Sequence, residues 1–235
     1  MSTTTKNLVI TGGSKGIGRA IVELFSLNGF TVFTCGRNLK KLEELQEIFL
    51  KTGHKIFTYQ ADLSSKEGCE SFVNWIKQNL EAIDILIHNS GIFLPDNILM
   101  EEDDVFEQSI RLNVKAPYIL NKRLYPLVKK VKGHIIHIAS VASQKPFPGC
   151  GSYVASKYAL LGYSKVLREI TKEEGVKVTA IMPGATYTSS WEGSGIAADR
   201  IMSPQAVAKV VWDITQLSGN ALVEEITLRP LLGDL

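Results

Sequence analysis

An α/β fold, with one doubly wound parallel sheet and helices on both faces, is the architecture the sequence predicts. Two observations carry it: short β-rich apolar runs recur along the chain, and a segment with helical spacing lies between each run and the next. The strand runs are Leu8 to Thr11, Thr31 to Cys35, Lys55 to Tyr59, Ile83 to His88, His134 to Ala139, Lys177 to Met182 and Leu222 to Leu228. Several are apolar at consecutive positions, as strands of a parallel sheet covered on both faces must be. In the first helix Ile17, Ala20, Ile21, Leu24 and Phe25 form one stripe, and Gly29 ends it. Leu39 to Lys51, Ser65 to Asn79, Asp103 to Lys130, Ser152 to Glu174 and Pro204 to Leu217 carry the same period. Glu101 to Asp104 precede or open the fourth helix while Lys129 and Lys130 close it, the charge order that a helix dipole favours. No Pro/Gly/Ser-rich linker and no fixed-period repeat interrupts the alternation, so residues 1–235 read as a single domain.

Composition narrows the partners. The chain has 235 residues, and 26 Lys and Arg against 24 Asp and Glu leave a formal net charge of +2 without a basic stripe. That argues against nucleic acid or an anionic membrane surface and for a small-molecule partner. Three cysteines, Cys35, Cys69 and Cys150, show neither paired nor metal-ligand spacing. The start of the chain lacks the apolar core of a signal peptide, and no run reaches the ~18 apolar residues of a membrane span. Together these predict a cytoplasmic protein with reduced thiols.

The first strand runs into Thr11-Gly12-Gly13-Ser14-Lys15-Gly16-Ile17-Gly18-Arg19, which opens the first helix. Glycines at 12, 16 and 18 are spaced four then two, unlike the usual Rossmann fingerprint. A turn of this kind still lets backbone N–H groups and a helix N-terminus face a pyrophosphate, which makes the sheet Rossmann-like. Gly12, Ser14, Lys15, Gly16, Ile17 and Gly18 are therefore candidate cofactor contacts. At the end of the second strand, where an NAD-binding fold places a carboxylate for the ribose 2′-hydroxyl, stands Gly36-Arg37. A guanidinium there, with Lys15 and Ser14 near it, suits a 2′-phosphate and predicts NADP(H).

Ser152 to Lys157 open a helix, so Tyr153 and Lys157 stand four residues apart on one face. A phenol near pKa ~10 works poorly at neutral pH, and a neighbouring ammonium lowers that value. Ser140 ends the fifth strand at the carboxyl edge, where open α/β sheets bind ligands.

With these residues in place the chain resembles the NADP-preferring members of the short-chain dehydrogenase/reductase family. The matching motifs are Thr-Gly-x-x-x-Gly-x-Gly at 11 to 18, Asp62-Leu63, His88-Asn89-Ser90-Gly91, Asn113, Ser140, Tyr153, Lys157, and Pro183-Gly184 leading to Thr188. The resemblance implies that Tyr153 is the acid in carbonyl reduction and the base in alcohol oxidation. It implies that Ser140 bonds the substrate oxygen, that Lys157 holds the nicotinamide ribose and depresses the pKa of Tyr153, and that Asn113 anchors a relay water. Asp62 would bind the adenine amino group, with Leu63 beside it. Asn89 and Gly91 would flank the adenine ribose, and Thr188, after Pro183-Gly184, would bond the carboxamide. The departure is His88, where the family usually has Asn, and it is read as structural.

The expected function is NADP(H)-dependent hydride transfer to or from a small carbonyl, secondary alcohol or 3-hydroxy acid. The chain's ending, Glu224 to Pro230, also resembles the members that act on small hydroxy acids and carbonyls. A 3-oxoacyl-carrier-protein reductase is the enzymatic alternative. A non-catalytic NADP(H) sensor or scaffold is the alternative from another class, and the intact Ser140, Tyr153 and Lys157 count against it.

Further expectations concern individual residues. Pro117 lacks an N–H, which frees the carbonyl of Asn113 and predicts a kink there. His134 and His137 lie three apart on a strand and point to opposite faces, so they cannot share a metal. Cys150 is assigned no role. Lys129, Lys130, Arg168 and Lys172 read as solvated caps more readily than as a patch for an acidic carrier. Ala155, Ala159 and Gly162 allow close helix approach, and the family implies a homodimer or homotetramer. The stretch 188–203, with Trp191 between the hinge glycines Gly193 and Gly195 and the sheet, reads as a mobile lid over a small pocket.

Overall fold

The computed structural model describes residues 5–95, 97–188, 191, 195–218 and 220–235. The strands are β1 (Asn7–Thr11), β2 (Thr31–Gly36), β3 (Ile56–Gln60), β4 (Ile85–His88), β5 (His134–Ile138), β6 (Lys177–Pro183) and β7 (Glu225–Leu228). All pair in parallel, in the order β3-β2-β1-β4-β5-β6-β7. After β3 the chain crosses back to lay β4 beside β1, so the winding direction reverses between those two strands. That switch point opens a crevice at their carboxyl ends.

The helices are α1 (Gly16–Leu27), α2 (Leu39–Leu50), α3 (Lys66–Asn79), α4 (Asp103–Ile110), α5 (Ala116–Lys129), α6 (Gly151–Thr171) and α7 (Pro204–Thr215). Alternation within each strand divides the core between the two faces. Leu8, Ile10, Val32, Ile87 and Ile136 pack beneath α1, α2 and α7, whereas Val9, Phe33, Leu86, Ile135 and Val178 pack beneath α3 and α5. Gly29 ends α1 as expected, at φ 84°, with the Phe30 N–H returning to the Phe25 carbonyl.

One expected helix is divided. Asp103 to Lys130 reads as continuous by period, but a π-turn at Arg111–Lys115 separates α4 from α5. The Ala116 N–H reaches the Arg111 carbonyl five residues back, and Pro117 sits in the first turn of α5. Because residue 117 has no N–H, the usual bond to the Asn113 carbonyl cannot form, and the chain takes up the defect as a widened turn in place of a simple kink. Glu101 also does more than favour a dipole, since its carboxylate accepts a hydrogen bond from Ser152 at the start of α6.

The histidines build the core, as expected. His88 and His137 are register partners on β4 and β5, and their rings stack at 5.0 Å. Asn121 from α5 joins them: its Oδ1 accepts from His88 Nε2 at 2.7 Å and its amide donates to His137 Nε2 at 3.1 Å. That pattern leaves His137 protonated on Nδ1, which donates to Ser164 Oγ at 3.0 Å. His134, on the other face, bonds Thr179 Oγ1 at 2.7 Å. Among the described residues, no group of three or more His, Cys, Asp or Glu could hold a metal ion, and no helix is long and apolar enough to cross a membrane.

Burial keeps these imidazoles neutral: His88 is lowered to about 4 and His137 falls well below its ordinary value. In the unfolded chain both take up a proton near pH 6.5, and each such proton favours unfolding by about 1.4 kcal/mol per pH unit. The stability they carry is therefore complete above pH 6.5 and is lost as pH falls from there toward 4. Denaturant midpoints measured between pH 7 and 4.5 should decline, and more gently in His88→Asn. A level profile in the unsubstituted protein contradicts the assignment.

Candidate active site

Seven parallel strands end along one edge, and the loops that follow them enclose a cleft of about 650 Å³. The glycine loop forms its floor. Gly12 has φ 72° and Gly16 φ 55°, conformations that favour glycine. Gly18 is there for another reason than the sequence suggests: a Cβ on it would stand 2.2 Å from the Gly12 carbonyl and 2.4 Å from Asn89 Nδ2. Its bare Cα lets α1 pack directly beneath the loop. The N-cap of α1 is Lys15 in an extended conformation that makes no side-chain cap, so the first-turn N–H groups remain at the cleft.

Hydroxyls from neighbouring strands hold this loop in shape. Thr11 Oγ1 accepts from the Asn89 and Ser90 N–H groups at 3.1 and 3.0 Å. Thr34 Oγ1 accepts from the Gly13 N–H at 3.0 Å and donates to the Ile10 carbonyl at 2.8 Å. Asn89 gives its amide to the Thr11 and Gly12 carbonyls at 3.0 and 3.1 Å. Asn89 lines the cleft, and its amide donors are committed to the protein, so its side chain shapes the loop.

The cleft gathers Gly12, Ser14, Lys15, Gly16, Ile17 and Gly18 with Arg37, Asp62 and Leu63 at the β2 and β3 side. Arg37 is exposed there. Asp62 Oδ1 accepts from the Ser64 N–H and hydroxyl. Gly91, Ser140, Tyr153, Lys157, Pro183, Gly184 and Thr188 line the middle and the β5 and β6 side. The site carries a dinucleotide-shaped set of donors: N–H groups at a helix start, cations beyond it, and a hydroxyl-rich centre.

At that centre Lys157 is buried, 5% exposed, and donates to the Ile138 carbonyl at 3.0 Å. Its ammonium stands 5.6 Å from the centroid of the Tyr153 ring. Ser140 Oγ accepts from the Ala142 N–H at 3.1 Å, and both Ser140 and Tyr153 line the cleft. Phe93 packs edge-on against Tyr153, 5.0 Å between centroids. Burial pushes the Tyr153 phenol up to about 12, with the Ser140 hydroxyl pulling down against it. Burial also lowers Lys157 to about 8. Both directions follow from the cost of charging a desolvated group. Burial is the largest influence on the Tyr153 phenol and raises it, opposite in direction to the depression by Lys157 that the resemblance implied.

Asn113 is not a cleft-lining residue. It is 1% exposed in the π-turn, and its side chain makes three bonds: Oδ1 accepts from the Ile92 N–H at 2.8 Å, and Nδ2 donates to the Ile92 carbonyl at 3.0 Å and to Ser156 Oγ at 2.9 Å. What Asn113 has left to offer is its main-chain carbonyl. The Asn113 side chain and the Lys157 ammonium both border Gly91: a Cβ built there would lie 3.2 Å from Asn113 Oδ1 and 3.6 Å from Lys157 Nζ.

Sequence reasoning passed over Thr34, Phe93, Phe147 and Asp234. Thr34 and Phe93 lie within a few residues of quoted motifs, whereas Asp234 reaches the cleft only through the tertiary fold. Cys150, given no role, lines the cleft with its thiol pushed up by burial. Of the expected lid, Trp191 lines the cleft and its base is pinned by a bridge between Thr186 and Met202. Of the two expected hinge glycines, Gly195 has φ 74°, whereas Gly193, with Ser189, Ser190, Glu192 and Ser194, lies outside the described residues.

A family model described as short chain dehydrogenase matches residues 6–196. This chain belongs to the short chain dehydrogenase family. An uncharacterized oxidoreductase of Staphylococcus epidermidis is 32% identical over 228 residues, which span 96% of this chain and 97% of that protein. Among solved structures, L-sorbose reductase from Gluconobacter frateurii, complexed with NADPH and L-sorbose, superposes with a TM-score of 0.87 at 25% identity, covering 96% of this chain and 95% of that one. A metagenomic short-chain oxidoreductase in complex with NADP gives a TM-score of 0.84 at 26% identity, covering 96% and 97% of the two chains.

Proposed function

We propose that this member of the family is an NADP(H)-dependent oxidoreductase acting on a small carbonyl or the corresponding secondary alcohol. The observation that carries the reading is the continuity of one cleft from Arg37 and the glycine loop to Ser140 and Tyr153, with Lys157 beside the Tyr153 ring. The NADP and NADPH complexes of the similar structures support the cofactor assignment.

The residues fit the cofactor. Gly12 and Gly16 leave a bare backbone cradle with α1 behind it for the pyrophosphate, and Arg37, Lys15 and Ser14 stand together for a 2′-phosphate. Asp62 and Leu63 would meet the adenine, Gly91 its ribose, Lys157 the nicotinamide ribose, and Pro183, Gly184 and Thr188 the nicotinamide end. The reduced nicotinamide supplies the hydride. The protein supplies the proton: Tyr153, protonated at any physiological pH, gives its phenolic hydrogen to the carbonyl oxygen while the Ser140 hydroxyl donates to the same oxygen. The Lys157 ammonium stabilises the phenolate that results, and the Asn113 carbonyl holds the water through which the proton is restored. In alcohol oxidation the same groups run in reverse, with Tyr153 as base.

The carrier-protein alternative draws no support from the basic residues weighed for it. Lys129 pairs with Glu174, Lys130 with Glu81, Lys172 with Glu169, and Arg168 with Glu169 and Glu224. A homodimer or homotetramer is supported by an exposed face on α5 and α6, where Tyr118, Tyr158 and Val166 flank Ala159 and Gly162. The three cysteines, unbridged and buried, agree with a reducing cytoplasm.

Tyr153→Phe should fold and bind NADPH while carbonyl reduction falls by about 10² to 10⁴. Single-turnover kinetics with NADPH in excess would read this, and turnover near that of the unsubstituted enzyme would place the acid elsewhere. Arg37→Ala should weaken NADPH binding by about 10-fold to 100-fold and leave NADH nearly unchanged, because one charge-assisted bond to the 2′-phosphate is lost. Fluorescence titration of both cofactors checks it, and equal affinity of the unsubstituted protein for NADPH and NADH contradicts it.

A further inference from the structure

We propose that the cleft selects neutral carbonyl substrates over carboxylate-bearing ones, and that Asp234 sets this preference. The inference rests on the oxidoreductase reading and specifies its substrate class.

The strand order divides the cleft. Arg37 and Asp62 follow β2 and β3 at one end of the sheet, so the cofactor's adenine end lies there. The substrate half lies at the other end, where the loops after β5, β6 and β7 meet beyond Tyr153. Its described walls are largely apolar: Phe93 against Tyr153, then Phe147, Pro148, Cys150 and Trp191. A substrate carboxylate buried among such groups needs a cation of its own.

Three cations stand at this end, and Asp234 and its neighbours engage all of them. Lys145 Nζ lies 3.2 Å and Arg229 Nη1 3.6 Å from the same oxygen, Asp234 Oδ2. The Arg200 guanidinium donates to the main-chain carbonyls of Gly233 and Asp234 at 3.1 and 3.2 Å. The Asp234 side chain is 12% exposed and belongs to a cleft-lining residue, whereas Lys145 and Arg229, 50% and 43% exposed, are not among the residues that line the cleft, and water screens them. The second oxygen, Oδ1, is buried with no hydrogen-bond partner among the described residues, 3.5 Å from where a Cβ on Gly184 would stand. An anionic substrate entering beside Gly184 thus comes close to a carboxylate that already holds Lys145 and Arg229, while Arg200 is committed to main-chain carbonyls. A neutral ketone or ester meets no such penalty. Specificity built by an opposing charge needs no new attractive contact.

The test compares kcat/KM, with NADPH, for acetoacetate and its ethyl ester, which share the reacting ketone and differ in charge. The unsubstituted enzyme should favour the ester. Asp234→Asn frees Lys145 and Arg229 and should raise the acid-to-ester ratio by about tenfold. Lys145→Met leaves the carboxylate less compensated and should move the ratio the other way. Opposite movements are a signature that loosening of the segment alone cannot produce. Preference for the acid in the unsubstituted enzyme overturns the proposal, as does an Asp234→Asn enzyme in which both substrates lose rate in parallel and the ratio stays put. In either case ketone reduction itself continues, so the oxidoreductase reading stands. Failure to reduce either compound, with NADPH bound, overturns both.

Discussion

A buried ammonium is the constraint around which the site is assembled. Lys157 lies almost wholly out of water, and the energetic cost of charging it there draws its pKa down toward neutrality. The fold supplies an acceptor in the Ile138 carbonyl at the end of β5, and it places the Tyr153 ring and the neighbourhood of Gly91 and Asn113 within reach of Nζ. Each of these depends on a different element. β5 must end where it does, α6 must begin two residues before Tyr153, and the π-turn must carry Asn113 beneath the loop after β4. The chemistry proposed for the cleft is what a lysine held between charged and neutral forms beside a protonated phenol can do.

The same economy governs the cofactor half. Thr11, Thr34 and Asn89 tie the glycine loop to β2 and β4, so the backbone that faces a pyrophosphate is rigid before anything binds. Gly18 matters to this by what it lacks, since its missing side chain lets α1 close on the loop. Two charge environments follow from the sheet order. The exposed Arg37 marks the β2 end, and a carboxylate that engages two cations marks the β7 end.

Much of this was legible in the sequence wherever the determinant is local. Strands buried on both faces announce themselves as apolar runs, and Tyr153 and Lys157 share a helix face because four residues make about one turn. Gly29 ended α1 for the reason the sequence suggested. What failed to show was set by packing between distant segments. The period of residues 103–130 hides the π-turn, because one widened turn shifts the apolar stripe only slightly. The burial that raises the Tyr153 phenol is likewise invisible in the sequence, where only the lysine four residues away can be read. Asn89 has the right residue type for a ligand contact, yet only the fold reveals that its amide is committed to Thr11 and Gly12. Asp234 and Lys145 are 89 residues apart, and nothing near either one points to the other.

Carbonyl reduction, as proposed for this cleft, depends on a protonated Tyr153 beside a charged Lys157. The most direct test is the pH dependence of kcat/KM for carbonyl reduction with saturating NADPH. Lys157, lowered to about 8, is charged below that pH and loses its proton as pH rises through it, whereas Tyr153 keeps its proton up to about 12. The account therefore predicts a level rate on the acid side and a single decline setting in near pH 8. A rate that stays level to pH 10, or that climbs across the same range, would contradict it.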